Sequence, residues 1–311
     1  MDTLILNQPK EVKRVNLSIN IIDFFLNSQD IRQSSKETYK RAMRQFFTWM
    51  KNTDRNLNEL TIKDLIVYKT DLLEKLSPLT VGSYLTVLRT FYSWAEANKI
   101  YPNITKGLKT PRRENKFQKQ HLINEYSKNL LSYFEKTNLR NFAMINLMIR
   151  TGLRTIEVAR ANIEDLSFKG GKRILYVQSK GKDQRTDFVI LTPKAYEPIK
   201  EYLNTREGSK GSDPLFVSNS YNNLAGRLTT RSIRGITKKG LKAIGLNEKE
   251  YTAHSLRHTT AVNILKSGGA ITDAQAVLRH STPVTTEIYI KSIEEELRIQ
   301  NAPEELIDNL F

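Results

Sequence analysis

Between residues 101 and 120 the chain loses every hydrophobic period, and that break dictates the plan of anything it can fold into. The stretch YPNITKGLKTPRRENKFQKQ carries two prolines, one glycine and a scatter of lysines and arginines. Neither a helix nor a strand can bury a face with such a pattern. At 311 residues the chain is long enough for two cores. The break therefore predicts a first domain over 1–105, a basic linker over 106–120 and a second domain over 121–311. A C-terminal tail begins near residue 292.

The block before the break reads as helices. In SSKETYKRAMRQFFTWMKN, Ser34 and Glu37 have the spacing of a capping box, and Tyr39, Ala42, Met43, Phe46, Phe47 and Met50 return at helical intervals. Thr61 heads a second stripe of Leu65, Tyr68, Leu72, Leu73 and Leu76. Pro78 stands where a first helical turn accepts proline, ahead of Val81, Leu85, Leu88, Phe91, Tyr92 and Ala95. With a weaker segment over 19–26, this makes about four helices, enough for a small bundle.

Lysine and arginine number 49 against 33 acidic residues, a formal net charge of +16. A polyanion is the natural partner of such an excess, the alternative being a basic protein whose charge serves only solubility. Lys36, Lys40, Arg41, Arg44 and Arg89 lie between the apolar stripes, and Arg112 and Arg113 lie in the linker; these are the candidate contacts to a phosphate backbone. Residues 287–311 run the other way, with seven acidic and two basic residues. Their apolar positions, Ile293, Leu297 and Ile299 and then Leu306, Ile307, Leu310 and Phe311, predict a segment that docks on protein rather than on a polyanion. The chain has no cysteine, hence no disulfide and no thiolate metal ligand. It also shows no secretory leader pattern and no apolar run long enough to span a bilayer, so the expected setting is cytoplasmic, without a membrane.

The second block mixes patterns. Helical spacing covers 125–137, 140–151 up to Gly152, 193–206, 229–244, 253–266, 272–279, 284–291 and 293–299. RILYVQS and TDFVILT are β-rich and are joined by KGKDQR, a hairpin signature with Gly181 at its turn. The fold class is mainly α: a helical bundle followed by a mostly helical α+β domain with a small antiparallel sheet.

His254, His258 and His280 are three of the four histidines in the chain, and Arg257 and Tyr289 share their neighbourhood. Three readings compete. His254 and His258 sit one turn apart on a helix capped by Thr252, and His280 could join them as a third metal ligand. The permanent charge of Arg257 beside the cation argues against that, so no metal is expected. Alternatively Leu256, Ala261, Val262, Ile264 and Leu265 form a core face on which the histidines merely pack. The third reading has His254, Arg257, His280 and Tyr289 converging on one anion. Arg154, just past the stop at Gly152, would join them with Glu157 pinning its guanidinium by a bidentate pair, and Lys180 would reach in from the hairpin.

TGLRTIEV, SKGK, HSLRH, VLRHST and IYI stand in the order and approximate spacing of the tyrosine recombinases, also called the phage integrase family. The chain resembles that family over nearly its whole length, most closely the Xer-type and simple two-domain integrases. One position departs: Arg279 stands where the third box usually has glycine. The resemblance implies a site-specific recombinase that cleaves and rejoins double-stranded DNA through a 3′-phosphotyrosine. Tyr289 would be the nucleophile, Arg154 and Arg257 would bind the non-bridging oxygens, and His254 and His280 would hydrogen-bond the phosphoryl group, His254 also taking the phenolic proton. Lys180 would protonate the leaving 5′-oxygen. No metal and no nucleotide cofactor is implied, because the phosphotyrosyl bond conserves the energy of the diester; the absence of a G-x-x-x-x-G-K-[ST] loop agrees. Implied partners are an inverted-repeat DNA site, a homotetramer on two such sites with each tail on a neighbouring protomer, and an accessory DNA-bending protein or partner recombinase. The task served would be integration or excision of a mobile element, or resolution of DNA multimers. A non-catalytic DNA-binding regulator of the same fold and a type IB topoisomerase are the competing readings.

Overall fold

Apolar residues at helical spacing bring α1 (Leu17–Ser28), α2 (Gln33–Asn52), α3 (Ile62–Lys75) and α4 (Pro78–Ala97) together around one core. The computed structural model describes residues 17–112, 120–179 and 184–279, and the chain divides into two compact units, Met1–Lys116 and Phe117–Phe311. In the first unit Phe25, Met43, Phe46, Leu65, Tyr68, Leu85 and Phe91 are fully buried. Their rings interlock edge to face, Phe25 on Phe91 at 5.4 Å and Phe46 on Tyr68 at 5.2 Å, a geometry that adds to plain burial.

Helix ends follow local chemistry. Thr61 caps α3 in a capping box, its N–H donating to Asp64 Oδ2 at 2.8 Å. Ser77 caps α4 by accepting from the Thr80 N–H, and Pro78 occupies the first turn. Ser34, expected as the cap of α2, instead lies one residue inside the helix, which begins at Gln33 with Arg32 as its cap residue. Leu73, expected inside, is 38% exposed; it lies about 100° around the helix from buried Leu72 and falls off the apolar arc. Leu108, within the basic stretch, is buried against this core, and its carbonyl accepts from Arg89 Nη2.

The second unit is built on α6 (Leu139–Thr151), whose Met144, Ile145, Leu147 and Met148 are wholly buried. Around it pack α5 (Asn124–Thr137), α8 (Pro193–Asn204) and α10 (Ala253–Lys266), while α9 (Thr230–Ala243) lies against α5 and α10, α7 (Thr155–Arg160) against α9, and α11 (Ile271–Leu278) against α10. An antiparallel sheet runs β1 (Leu166–Lys169), β2 (Lys172–Val177), β3 (Asp187–Ile190), with Leu166 opposite Leu175 and Val177 opposite Asp187. Leu175, Val177 and Val189 face the core. The hairpin of β2 and β3 matches the expected runs but is shorter, because Thr192 already caps α8. The strand β1 is an addition. Among the described residues no helix is long and apolar enough to cross a membrane. The expected helices over 284–291 and 293–299, and the tail, lie outside the described residues.

Candidate active site

Thr252 begins α10: its hydroxyl accepts from the His254 N–H at 3.3 Å, and its own N–H donates to Ser255 Oγ at 3.0 Å. The helix then enters the core polar side included, with Arg257 (1% exposed), His258, Thr259 and Thr260 all buried. Each hydroxyl ties α10 to another segment. Thr260 Oγ1 donates to the Ile149 carbonyl of α6 at 2.7 Å, and Thr259 Oγ1 accepts from the Leu122 N–H at 2.8 Å.

Arg257 reaches the ends of two helices. Its Nη1 donates to the Gly152 carbonyl at 2.5 Å, and its Nη2 donates to the Leu278 carbonyl. Both carbonyls close helices, α6 at Gly152 (φ 63, ψ 22) and α11 at Arg279 (φ 53, ψ 48), each with left-handed backbone. Terminal carbonyls lack intrahelical donors and form the negative end of the helix dipole, so a buried guanidinium is well matched to them. The two ends touch: a Cβ on Gly152 would lie 2.4 Å from Leu278 Cδ2.

Arg154 caps α7 from the same turn, its side chain 27% exposed. Glu157, 0% exposed, receives Arg154 Nη1 on Oε1 at 3.0 Å. The bidentate fork expected from the spacing does not form. Glu157 Oε2 instead accepts the Arg154 backbone N–H at 2.8 Å and Arg279 Nη2 at 2.8 Å. Three guanidinium groups thus gather around one carboxylate and two helix ends. Local spacing reveals Glu157 but not Arg279, whose only sequence signal is its departure from glycine in the third box.

His254 is exposed on the first turn of α10, three residues before Arg257. His258 is buried, with its ring edge-on to His121 at 5.8 Å, so it takes the packing role. No group of three His, Asp or Glu residues placed to hold a metal occurs among the described residues. Lys180, His280 and Tyr289 lie outside them. The hairpin that would carry Lys180 is tethered at its base, where Arg185 Nη1 meets Asp165 Oδ1 at 2.9 Å and Nη2 donates to the Arg160 carbonyl at 3.2 Å. Alongside, Arg227 Nη2 donates to Asn162 Oδ1 at 2.6 Å. Burial, and then repulsion from Arg185, lowers the Arg227 pKa from its ordinary value.

In the first unit Lys36, Lys40 and Arg44 recur every fourth residue along α2 and make one stripe, with Arg41 beside it. Arg41 and Arg44 are exposed; Lys36 and Lys40 are half-buried, Lys40 lying 3.7 Å from Asp23. Lys40 and Arg44 line a groove of about 380 Å³ floored by Ile22 and Phe47. Arg89 is half-buried, with one amino group on the Leu108 carbonyl at 2.5 Å. Arg112 is exposed, and Arg113 lies outside the described residues.

Known proteins share both units. The sequence profile of the phage integrase family matches residues 117–296, and that of the phage integrase N-terminal SAM-like domain matches residues 17–101. Tyrosine recombinase XerC of Thermodesulfovibrio yellowstonii is 31% identical over 264 residues, covering 81% of this chain and 83% of that protein. XerC of Bacillus subtilis is 27% identical over 305 residues, covering 90% and 94%. Among solved structures, XerH recombinase in a post-cleavage complex with palindromic difH DNA matches with a TM-score of 0.74 at 21% identity, covering 93% of this chain and 85% of that one. A lambda integrase dimer on a COC′ core site gives 0.69 at 16% identity, covering 87% and 76%. These structural likenesses establish the fold, and the matches over both units settle the lineage: the chain belongs to the phage integrase family, the tyrosine recombinases.

Proposed function

We propose that this recombinase cleaves and rejoins DNA with Tyr289 as nucleophile. The observation that supports this reading most is the gathering of Arg154 and Arg257, from segments far apart in sequence, around the ends of α6 and α11. Family membership supplies the chemistry such a cationic cluster serves. The Tyr289 oxygen attacks the phosphorus of a phosphodiester, the bond to the 5′-oxygen breaks, and a 3′-phosphotyrosyl bond forms. A phenol of pKa about 10 is mostly protonated at neutral pH, so His254 takes its proton. Arg154 and Arg257 bind the non-bridging oxygens and stabilise charge on the pentavalent phosphorane, joined by His280. Lys180 gives the leaving 5′-oxygen its proton. A 5′-hydroxyl of a second strand then attacks the phosphotyrosine and releases Tyr289, so no net bond energy is lost and neither metal nor nucleotide is required.

The exposed cations of α2, with Arg112 and Arg113, would follow the DNA backbone, with Lys36, Lys40 and Arg89 as further candidate contacts. The DNA site is an inverted repeat, and a homotetramer spans two of them in the cytoplasm, with an accessory DNA-bending protein or a second recombinase as further partners. The acidic tail docks on a neighbouring protomer. The biological task is integration or excision of a mobile element, or resolution of DNA multimers.

The decisive experiment is covalent trapping on a genomic fragment library, followed by sequencing of the bound DNA. The wild type should leave denaturant-resistant protein–DNA adducts at an inverted-repeat site. Tyr289→Phe should bind the same DNA and leave none. Adducts formed by Tyr289→Phe would falsify the assignment, and site-independent relaxation of supercoils would favour topoisomerase chemistry instead.

A further inference from the structure

Arg279 holds a backbone conformation that side chains disfavour, φ 53 and ψ 48, at the end of α11. Glycine takes this conformation without steric conflict, so an arginine here carries a backbone cost that its side-chain contacts can offset. That side chain is 10% exposed. Its Nη1 donates to the Val277 carbonyl at 2.8 Å and its Nη2 to Glu157 Oε2 at 2.8 Å. Glu157 is wholly buried and holds Arg154 through its other oxygen.

We propose that Arg279 is a positioning residue for Arg154, acting through Glu157. The inference rests on the reading of Arg154 as a ligand of the scissile phosphodiester. Two effects follow from the shared carboxylate. The first is geometric: held from both sides, Glu157 has one orientation available, and the Arg154 guanidinium bonded to it is aimed in turn. The second is electrostatic. A lone Arg154–Glu157 pair is neutral and would offer a phosphodiester little attraction. With Arg279 on the same carboxylate, two guanidiniums share one negative charge, and the trio keeps a positive charge for the incoming anion. In a buried setting that difference is weakly screened.

The test has two arms. In the first, urea unfolding compares the wild type with Glu157→Gln, Arg279→Met and the double variant. Residues in contact are non-additive, so the double variant should lose no more stability than the worse single one; additive losses overturn the contact. In the second, covalent-complex formation is followed in single turnover on the trapped site. Arg279→Met and Arg279→Gly should cleave roughly 10- to 100-fold more slowly with DNA affinity unchanged, and Arg279→Lys should recover much of the rate. Added to Arg154→Ala, Arg279→Met should slow cleavage no further. Wild-type cleavage by Arg279→Gly overturns the positioning role alone. A wild type that forms no adduct on any DNA overturns the recombinase chemistry, and the positioning role with it, whatever the urea result.

Discussion

Arg257 and Gly152 are joined by a 2.5 Å hydrogen bond from a guanidinium on α10 to the carbonyl that ends α6. The same guanidinium donates to the Leu278 carbonyl that ends α11. A side chain proposed to bind phosphate oxygens therefore also fastens two helix ends, and both tasks use the planar fork of donors. Lysine keeps the charge and loses the fork. Arg257→Lys should lower stability by about 1.5–3 kcal/mol as well as suppressing covalent-complex formation. Urea unfolding checks the first effect; an unchanged midpoint would show that the carbonyl bonds contribute little to folding.

Gly152 is constrained twice, by its positive φ of 63 and by Leu278 Cδ2, which a Cβ would meet at 2.4 Å. Gly152→Ala should cost about 1–3 kcal/mol through crowding, with backbone strain in addition. Trimming the neighbour separates the two causes. In Gly152→Ala/Leu278→Ala the combined loss should be smaller than the sum of the singles, measured by thermal unfolding. Additive losses would assign the cost to the backbone alone.

Tyr68 and Tyr92 are buried in the first unit, and neither hydroxyl has a hydrogen-bond partner among the described residues. Burial pushes both phenols well above the ordinary value of 10.0, with smaller contributions from Tyr84 and Tyr101 respectively. In the unfolded chain each phenol releases its proton near pH 10, whereas the folded bundle keeps it to higher pH. Their contribution to stability is therefore complete below about pH 10 and is lost as pH rises from there through the folded pKa. Tyr68→Phe should be close to neutral at pH 7, because it removes an unsatisfied buried hydroxyl, and should flatten the alkaline decline. Unfolding followed by circular dichroism between pH 7 and 12 tests this; an unaltered alkaline limb in both Tyr→Phe variants would exclude these phenols as its cause.

Much of the architecture is legible because it is local. Thr61, Pro78, Gly152 and Thr252 sit at helix ends where cap and turn chemistry puts them, and the stripe from Val81 to Ala95 is buried throughout. The strand β1 is not legible: LSFK has no alternation of its own and extends because β2 lies beside it. The Arg154–Glu157 contact is readable from its i, i+3 spacing. The Arg279–Glu157 contact joins positions 122 residues apart, beyond any periodicity. The burial of Arg257, Thr259 and Thr260 is equally hidden, since their partners are Gly152, Leu278, Leu122 and Ile149 from other segments.

From Ser255 to Val262 every residue of α10 is buried, so for about two turns this helix has no outer side. A surface position usually tolerates exchange within about 0.5 kcal/mol, and this stretch offers none. A library that varied it to obtain new target preferences would return mostly unfolded protein. Diversity placed on the solvent-facing Arg41 and Arg44 of α2, the proposed contacts to the DNA backbone, would leave the fold intact.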